Sequence, residues 1–299
     1  MHARLSPSTV LLMLVPPLLW AGNAVVGRLV HTLMPPMTLN FVRWTIAFVL
    51  LLPLAGHVLR PSSEIWRKWR RFALLGLLGV GSYNALQYLA LQTSEPINTT
   101  LVGSSMPVWM LLVGTLFFRA PARRSQIVGA ALSMVGVLIV LSRGELQQLL
   151  ALRLRPGDGF MVLATIAWSF YAWLLAKPGE SPALRQDWSA FLLAQIVFGL
   201  GWSGLFTAAE WTLGDPHIDW GWPLAAALVF IAVGPAILAY RCFGAGVARV
   251  GPNMAAFFAN LTPLFAALLS AAFLGEPPHL YHAAAFALIV AGIVLSARR

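Results

Sequence analysis

An all-α polytopic membrane protein is the fold class this sequence predicts, with ten transmembrane helices arranged as two inverted five-helix repeats around a central cavity. Three observations predict it. Of the 299 residues, 59% are hydrophobic and 10% charged, against about 45–50% and roughly 25% in soluble domains. Apolar stretches near the length of about 20 residues that crosses a bilayer recur from end to end. Finally, Pro96, Pro107, Pro121 and Gly136 recur in register 156 residues on, as Pro252, Pro263, Pro277 and Gly292. Each set closes on a like tail, Gly-Val-Leu-Ile-Val-Leu-Ser at 136–142 and Gly-Ile-Val-Leu-Ser at 292–296.

The ten spans fall at about 9–30, 38–58, 71–92, 96–118, 124–142, 159–177, 188–210, 222–244, 252–274 and 280–297. The first resembles a signal peptide in its apolarity. Its Trp20, however, has a counterpart at Trp168 in the second half, so a retained helix is expected. Residues 1–142 make the first five-span unit, 143–158 a linker and 159–299 the second unit. Within the linker Arg143, Glu145, Arg153, Arg155 and Asp158 interrupt the apolar pattern. Leu146, Leu149, Leu150 and Leu154 suggest a short amphipathic piece lying on the membrane surface.

A net charge of +10 raises the question of nucleic acid, but the basic residues sit in short loops between apolar spans. With the N-terminus placed inside, 14 of the 20 Lys and Arg fall on the inner side, three outside, and three (Arg28, Arg43 and Arg241) within or at the edge of spans. That bias puts both termini in the cytoplasm of a bacterial-type inner membrane, with the bilayer and not nucleic acid as the partner of the chain. Five spans per unit is an odd number, so the second unit inserts upside down relative to the first. Such inverted repeats carry their substrate site between the halves. Trp66, Trp69 and Trp188 on the inner side, and Trp211, Trp220 and Trp222 on the outer, read as interface belts. Cys242 is the only cysteine, which removes intramolecular disulfides and cysteine-rich metal sites. No cofactor is implied.

Four local patterns resemble the EamA-type ten-helix members of the drug/metabolite transporter superfamily. They are Leu19-Trp20-Ala21-Gly22-Asn23 in the first span, Phe41-Val42-Arg43-Trp44 with Ala47 in the second, Gly157-Asp158 leading to Trp168-Ser169-Phe170-Tyr171, and the duplicated proline block followed by Leu274-Gly275-Glu276. The first half departs from the pattern at Ala120, which stands where the second half has Glu276, and Phe191 is the nearest counterpart of Arg43. The resemblance implies a secondary transporter, and among family members the chain is most similar to exporters of aromatic and other neutral amino acids.

Candidate site residues follow from the cost of polar groups in lipid. Pro107 and Pro263 lie within the fourth and ninth spans, where each removes one helical hydrogen bond and frees a carbonyl, of Gly103 and Ala259 respectively. Such groups need a protein or water partner, so both kinks are expected to act as hinges beside a wet interior, with Ser104, Ser105 and Asn260 next to them. Tyr83, Asn84, Gln87 and Tyr88 form one stripe on the third span. The amides of Asn84 and Gln87 keep that stripe out of lipid, where they either touch substrate or bond neighbouring helices. Trp20, Asn23, Trp109 and Trp168 are a third group, with rings placed to stack on an aromatic solute or pack against each other. Arg43 lies a few residues into its span, where it either snorkels to the surface or receives a carboxylate.

All ten Asp and Glu fall in loops or at span ends, and the six histidines are peripheral. A proton relay needs ionisable groups at depth, so downhill or weakly coupled transport is expected, with Glu95 and Glu210 as fallback proton carriers. Neither a His-Glu-x-x-His pattern nor a phosphate-binding Gly-x-x-x-x-Gly-Lys-Ser/Thr loop occurs, which argues against an intramembrane enzyme or an ATP-driven pump. The expectation is therefore a monomeric carrier of small organic solutes such as amino acids. A multidrug, nucleoside- or sugar-type exporter driven by proton antiport is the alternative.

Overall fold

The structure, a computed structural model, describes residues 6–30, 32–94, 96–151, 153–274 and 279–297. Glu95, Glu276, Pro277, His2 and His31 lie outside the described residues, as do the side chains of Arg28 and Pro96. Among the described residues ten helical segments are long and apolar enough to cross a membrane: α1 (Pro7–Gly27), α2 (Pro36–Leu59), α3 (Trp69–Thr93), α4 (Asn98–Phe117), α5 (Arg124–Leu141), α6 (Pro156–Ala176), α7 (Trp188–Leu213), α8 (Trp222–Val250), α9 (Pro252–Leu269) and α10 (Leu280–Ala297). Consecutive crossings leave the two chain ends on one face, here the terminal face, and the α5–α6 connection on the other, the linker face.

Helix starts follow local chemistry. The Ser6 hydroxyl accepts the Thr9 backbone N–H ahead of α1, with Pro7 in the first turn. Asp187 accepts the N–H groups of Ser189 and Ala190 at the head of α7. The α6 helix begins at Pro156, inside the stretch assigned to the linker, because Asp158 reaches back to accept the Arg155 N–H at 2.8 Å. Each cap satisfies donors that a helix leaves open at its first turn. The amphipathic piece of the linker is a short helix, Leu146–Leu150, and exposed Leu154 lies beyond it.

Irregularities recur at the same 156-residue spacing as the prolines. α3 widens into a π-helical stretch at Gly76–Ser82, and α8 does so at Ala232–Leu238 around Pro235. α4 breaks at Ser105, between helices ending at Ser104 and resuming at Met106; α9 breaks at Asn260 and Leu261, between Ala259 and Thr262. The Thr262 hydroxyl donates to the Ala259 carbonyl at 2.7 Å, so the acceptor freed by Pro263 is satisfied within its own chain.

Packing follows the same rule. α2 lies along α7 and α5 along α10; α1 meets α8 and α9, while α6 meets α3 and α4. Exchanging the first half for the second leaves these pairings unchanged. At the α5–α10 crossing small residues meet and the backbones approach closely. A Cβ added at Gly292 would sit 2.6 Å from the Gly129 carbonyl oxygen, and one at Gly129 would sit 2.7 Å from that of Gly292. Close backbone approach of this kind replaces hydrophobic driving force inside lipid. Gly292→Val is expected to force the two helices apart at a cost of about 1–3 kcal/mol, read as a lower thermal unfolding midpoint of the purified protein in detergent.

Candidate functional site

Six of the ten crossings surround a cavity of about 120 Å³ in the half of the molecule nearer the linker face. α1 contributes Trp20 and Asn23, α3 contributes Tyr83, Asn84 and Gln87, and α6 contributes Met161 and Trp168. From the broken helices come Thr99, Thr100, Gly103, Ser104 and Met106 of α4, and Ala259, Asn260, Thr262 and Pro263 of α9; Tyr240 of α8 completes the wall. Both helix breaks therefore open onto this space, which is where interrupted backbone is tolerated at membrane depth.

The lining is polar but uncharged. Asn84 and Gln87 make no side-chain hydrogen bond to another described residue, so their amides face the cavity unspent. Asn260 is divided between two tasks, walling the cavity while its amide donates to Ser133 Oγ of α5 at 2.9 Å. Below the cavity, toward the terminal face, aromatic rings close the floor. Trp168 packs on Trp20, Tyr83, Tyr171, Tyr240 and Phe243 with centroid separations of 4.9–5.5 Å. The Tyr240 hydroxyl donates to the Gly79 carbonyl in the π-helical stretch of α3, and the Tyr171 hydroxyl donates to Gln195 Oε1 at 2.9 Å. Those two tyrosines also wall a second cavity, about 320 Å³, that lies toward the terminal face between α1, α6, α7 and α8. The rings thus form a partition with space on both sides.

Of the residues singled out from sequence, Trp20, Asn23, Tyr83, Asn84, Gln87, Ser104, Trp168, Asn260 and Pro263 come together at the first cavity. Four do not line it. Ser105 turns back to donate to the Val102 carbonyl and accepts the Trp109 indole N–H at 3.0 Å, so this pair satisfies itself along α4. Pro107 is buried beside the break without facing the opening. Arg43 corrects the snorkelling expectation: it is 1% exposed, with its guanidinium toward Asn23 of α1. Arg241, by contrast, is exposed, with its guanidinium 4.4 Å from the Trp188 ring centroid. Sequence reasoning missed Thr99, Thr100 and Tyr240. Helical spacing back from Gly103 and Ser104 points to the two threonines, and Tyr240 stands 156 residues beyond Asn84.

This geometry has relatives. A family described as the EamA-like transporter family matches over residues 7–142 and again over 155–298, once for each half. The chain belongs to the EamA-like transporter family. An uncharacterized transporter of Archaeoglobus fulgidus is 24% identical over 295 residues, covering 98% of both chains. YedA of Escherichia coli K12, an uncharacterized inner membrane transporter, is 25% identical over 283 residues, covering 93% of this chain and 87% of its own. A protein of known crystal structure superposes with a TM-score of 0.73 at 20% identity over 96% of both chains, a likeness of fold.

Charged contacts of this EamA-like transporter gather at its two faces. On the linker face Glu210 of α7 accepts the Met37 and Thr38 N–H groups and the Thr38 hydroxyl at 2.7–2.9 Å, while Trp211 donates to the same hydroxyl. Glu210, a fallback proton carrier by sequence, is thereby committed to capping α2. Asp158 is buried and accepts from Ser94 and Asn98, joining the head of α6 to the α3–α4 turn. On the terminal face the fully buried Glu180 carboxylate takes Arg71 at 2.7 Å and Arg185 at 2.6 Å. Arg71 also donates to the Leu174 and Lys177 carbonyls, and Glu64 accepts the Ser181 N–H. The α2–α3 and α6–α7 connections are thus latched together there. Glu180→Gln leaves two guanidinium groups without their counter-ion, an expected loss of about 3 kcal/mol seen as a lowered thermal midpoint in detergent.

Proposed function

We propose that this chain is a secondary carrier that exports aromatic and other neutral amino acids by alternating access, running downhill or only weakly coupled to ions. The observation that carries the reading is the uncharged polar cavity at two broken helices, separated by an aromatic partition from a second cavity on the opposite face. Solute in the first cavity meets hydrogen-bonding amides and hydroxyls on α3, α4 and α9, with Trp20, Trp168 and Tyr240 available for stacking. The breaks at Ser105 and at Asn260–Leu261 are the hinges about which α4 and α9 rock, with Pro107 and Pro263 setting their position.

The cavity, about 120 Å³, is smaller than the roughly 300–1,000 Å³ of pockets that take drug-sized ligands, which favours a small metabolite. The two halves are read as inverted copies, since each carries five crossings and the pairings survive their exchange. Both termini are then cytoplasmic by the distribution of Lys and Arg, which makes the linker face the outer one. In that orientation the described conformation holds its first cavity nearer the outside, with the second cavity and the Glu180 latch toward the inner face. A pathway contained within one chain makes a monomer sufficient, so light scattering in detergent is expected to return a single-chain mass.

Weak coupling follows from the lining, in which the described residues contribute no carboxylate, imidazole or ammonium. Counterflow of labelled amino acids into liposomes containing the purified protein is expected to proceed at an unchanged rate when a pH gradient is imposed or collapsed. A strict requirement for that gradient would establish proton antiport instead. Asn84→Ala and Gln87→Ala are each expected to raise the KM for the preferred solute about tenfold, the loss of one hydrogen bond to bound solute. Wild-type KM values in both would assign the two amides no part in recognition.

A further inference from the structure

Arg43 is the described charge that the proposed carrier leaves without a task. Its guanidinium is permanently charged, sits 1% exposed in the eighth position of α2, and is roughly 10 Å along the helix from its start. Among the described residues it has no ion-pair partner. Its contacts are Asn23 Oδ1, at 3.5 Å from Nη1, and the ring of Trp44, with Cζ 5.1 Å from the centroid. Among the described residues Nε has no hydrogen-bond partner. Glu210, on the adjoining α7, is fully engaged at the head of α2. Asn40 Oδ1, one turn earlier on α2, is also unpaired and makes no bond to it. A buried cation left in this condition is costly, and in membrane segments such residues mark substrate or ion sites.

Two further donors nearby are unspent. The indole N–H groups of Trp44 and Trp168 are buried without acceptors. Their rings flank that of Tyr240, at 4.9 Å and 5.5 Å between centroids. Trp168, Tyr240 and Asn23 all wall the first cavity. Because Asn23 turns its amide oxygen toward Arg43, its N–H donors are what remain for the cavity side. The cavity wall at Asn23 therefore offers amide donors, sits in the field of a fixed positive charge, and has no anion among the described residues.

We propose that the missing counter-ion of Arg43 is the carboxylate of the transported solute, bound at Asn23. Arg43 acts as a positioning residue: it holds the Asn23 amide by its oxygen and supplies the positive potential that favours an anionic group there. This rests on the reading of the first cavity as the solute site, and it adds the chemical group by which solutes are selected. Amines and neutral solutes that lack a carboxylate are excluded by the positive charge or gain nothing from it.

Counterflow in liposomes with paired solutes tests this, using phenylalanine against phenylalaninamide and tryptophan against tryptamine, each corrected for protein-free vesicles. The wild-type protein is expected to move the acid at least about tenfold faster than its carboxylate-free partner, the least a charge-assisted hydrogen bond is worth. Arg43→Gln is expected to erase that ratio and Arg43→Lys to retain part of it. Asn23→Asp places a carboxylate beside the guanidinium, and is expected to raise the thermal midpoint while abolishing preference for the acids. Equal wild-type rates for both members of each pair, or an unchanged ratio in a folded Arg43→Gln protein, would overturn the carboxylate site and leave the carrier reading intact. Should Arg43→Gln fail to fold, a wild-type ratio in Asn23→Asp overturns it equally. Inertness toward every solute in the panel overturns the amino-acid carrier and this inference together.

Discussion

No backbone polar group can be left facing hydrocarbon, and that requirement organises the whole molecule. Ten nearly complete helices meet it by bonding within themselves. The helices that depart from regularity do so next to a cavity or its floor: α4 at Ser105, α9 at Asn260 and Leu261, and α3 and α8 in their π-helical stretches. Each departure is resolved locally. Thr262 takes up the carbonyl that Pro263 frees, and Tyr240 supplies a donor to Gly79 where α3 widens. Irregular backbone and polar cavity are thus one feature seen from two sides, since neither persists in lipid without the other.

The same cost distributes the charges. Carboxylates are held at the two faces, where Glu210 and Asp158 cap helices near the linker and Glu180 gathers two arginines on the terminal side. Between them the cavity is lined by hydroxyls, amides, rings and a few apolar groups, with no charge among the described residues. Such a lining hydrates a small solute without a fixed charge that would hold it too long. Arg43 is the exception at depth, and its isolation from any described carboxylate is what separates it from the paired charges at the surface.

Much of this was legible in the sequence because lipid imposes a simple rule on composition. Hydropathy alone located all ten crossings to within a turn or two, and the proline register located both breaks. The polar stripe on α3 pointed inward for the same reason, since amides are not tolerated outside. What stayed hidden depended on packing. Ser105 and Trp109 have the right chemistry for a cavity, yet Ser105 donates to the Val102 carbonyl and accepts the Trp109 indole N–H, so both are satisfied along the helix. Arg43 looked shallow enough to reach water, yet the fold buries it beside Asn23 of α1. Met106 and Met161 carry no polar signal at all, and Tyr240 emerges only when the α3 stripe is projected onto the second copy.

That projection has a kinetic consequence. Ser104 stands opposite Asn260 in register, Met106 opposite Thr262, and Asn84 opposite Tyr240, so the duplicated walls have drifted into different chemistries. A carrier built from identical halves would present the same surface whichever way it opened. In the alternating-access carrier proposed above, the inward and outward half-cycles would traverse unlike barriers, and solute on one side of the bilayer would meet a different apparent affinity from solute on the other. Equal concentrations still give no net movement, but the speed of exchange at a given imbalance depends on which side is fuller. For a carrier of the proposed kind, such divergence between the halves is enough to rectify the rate of exchange without any energy source of its own.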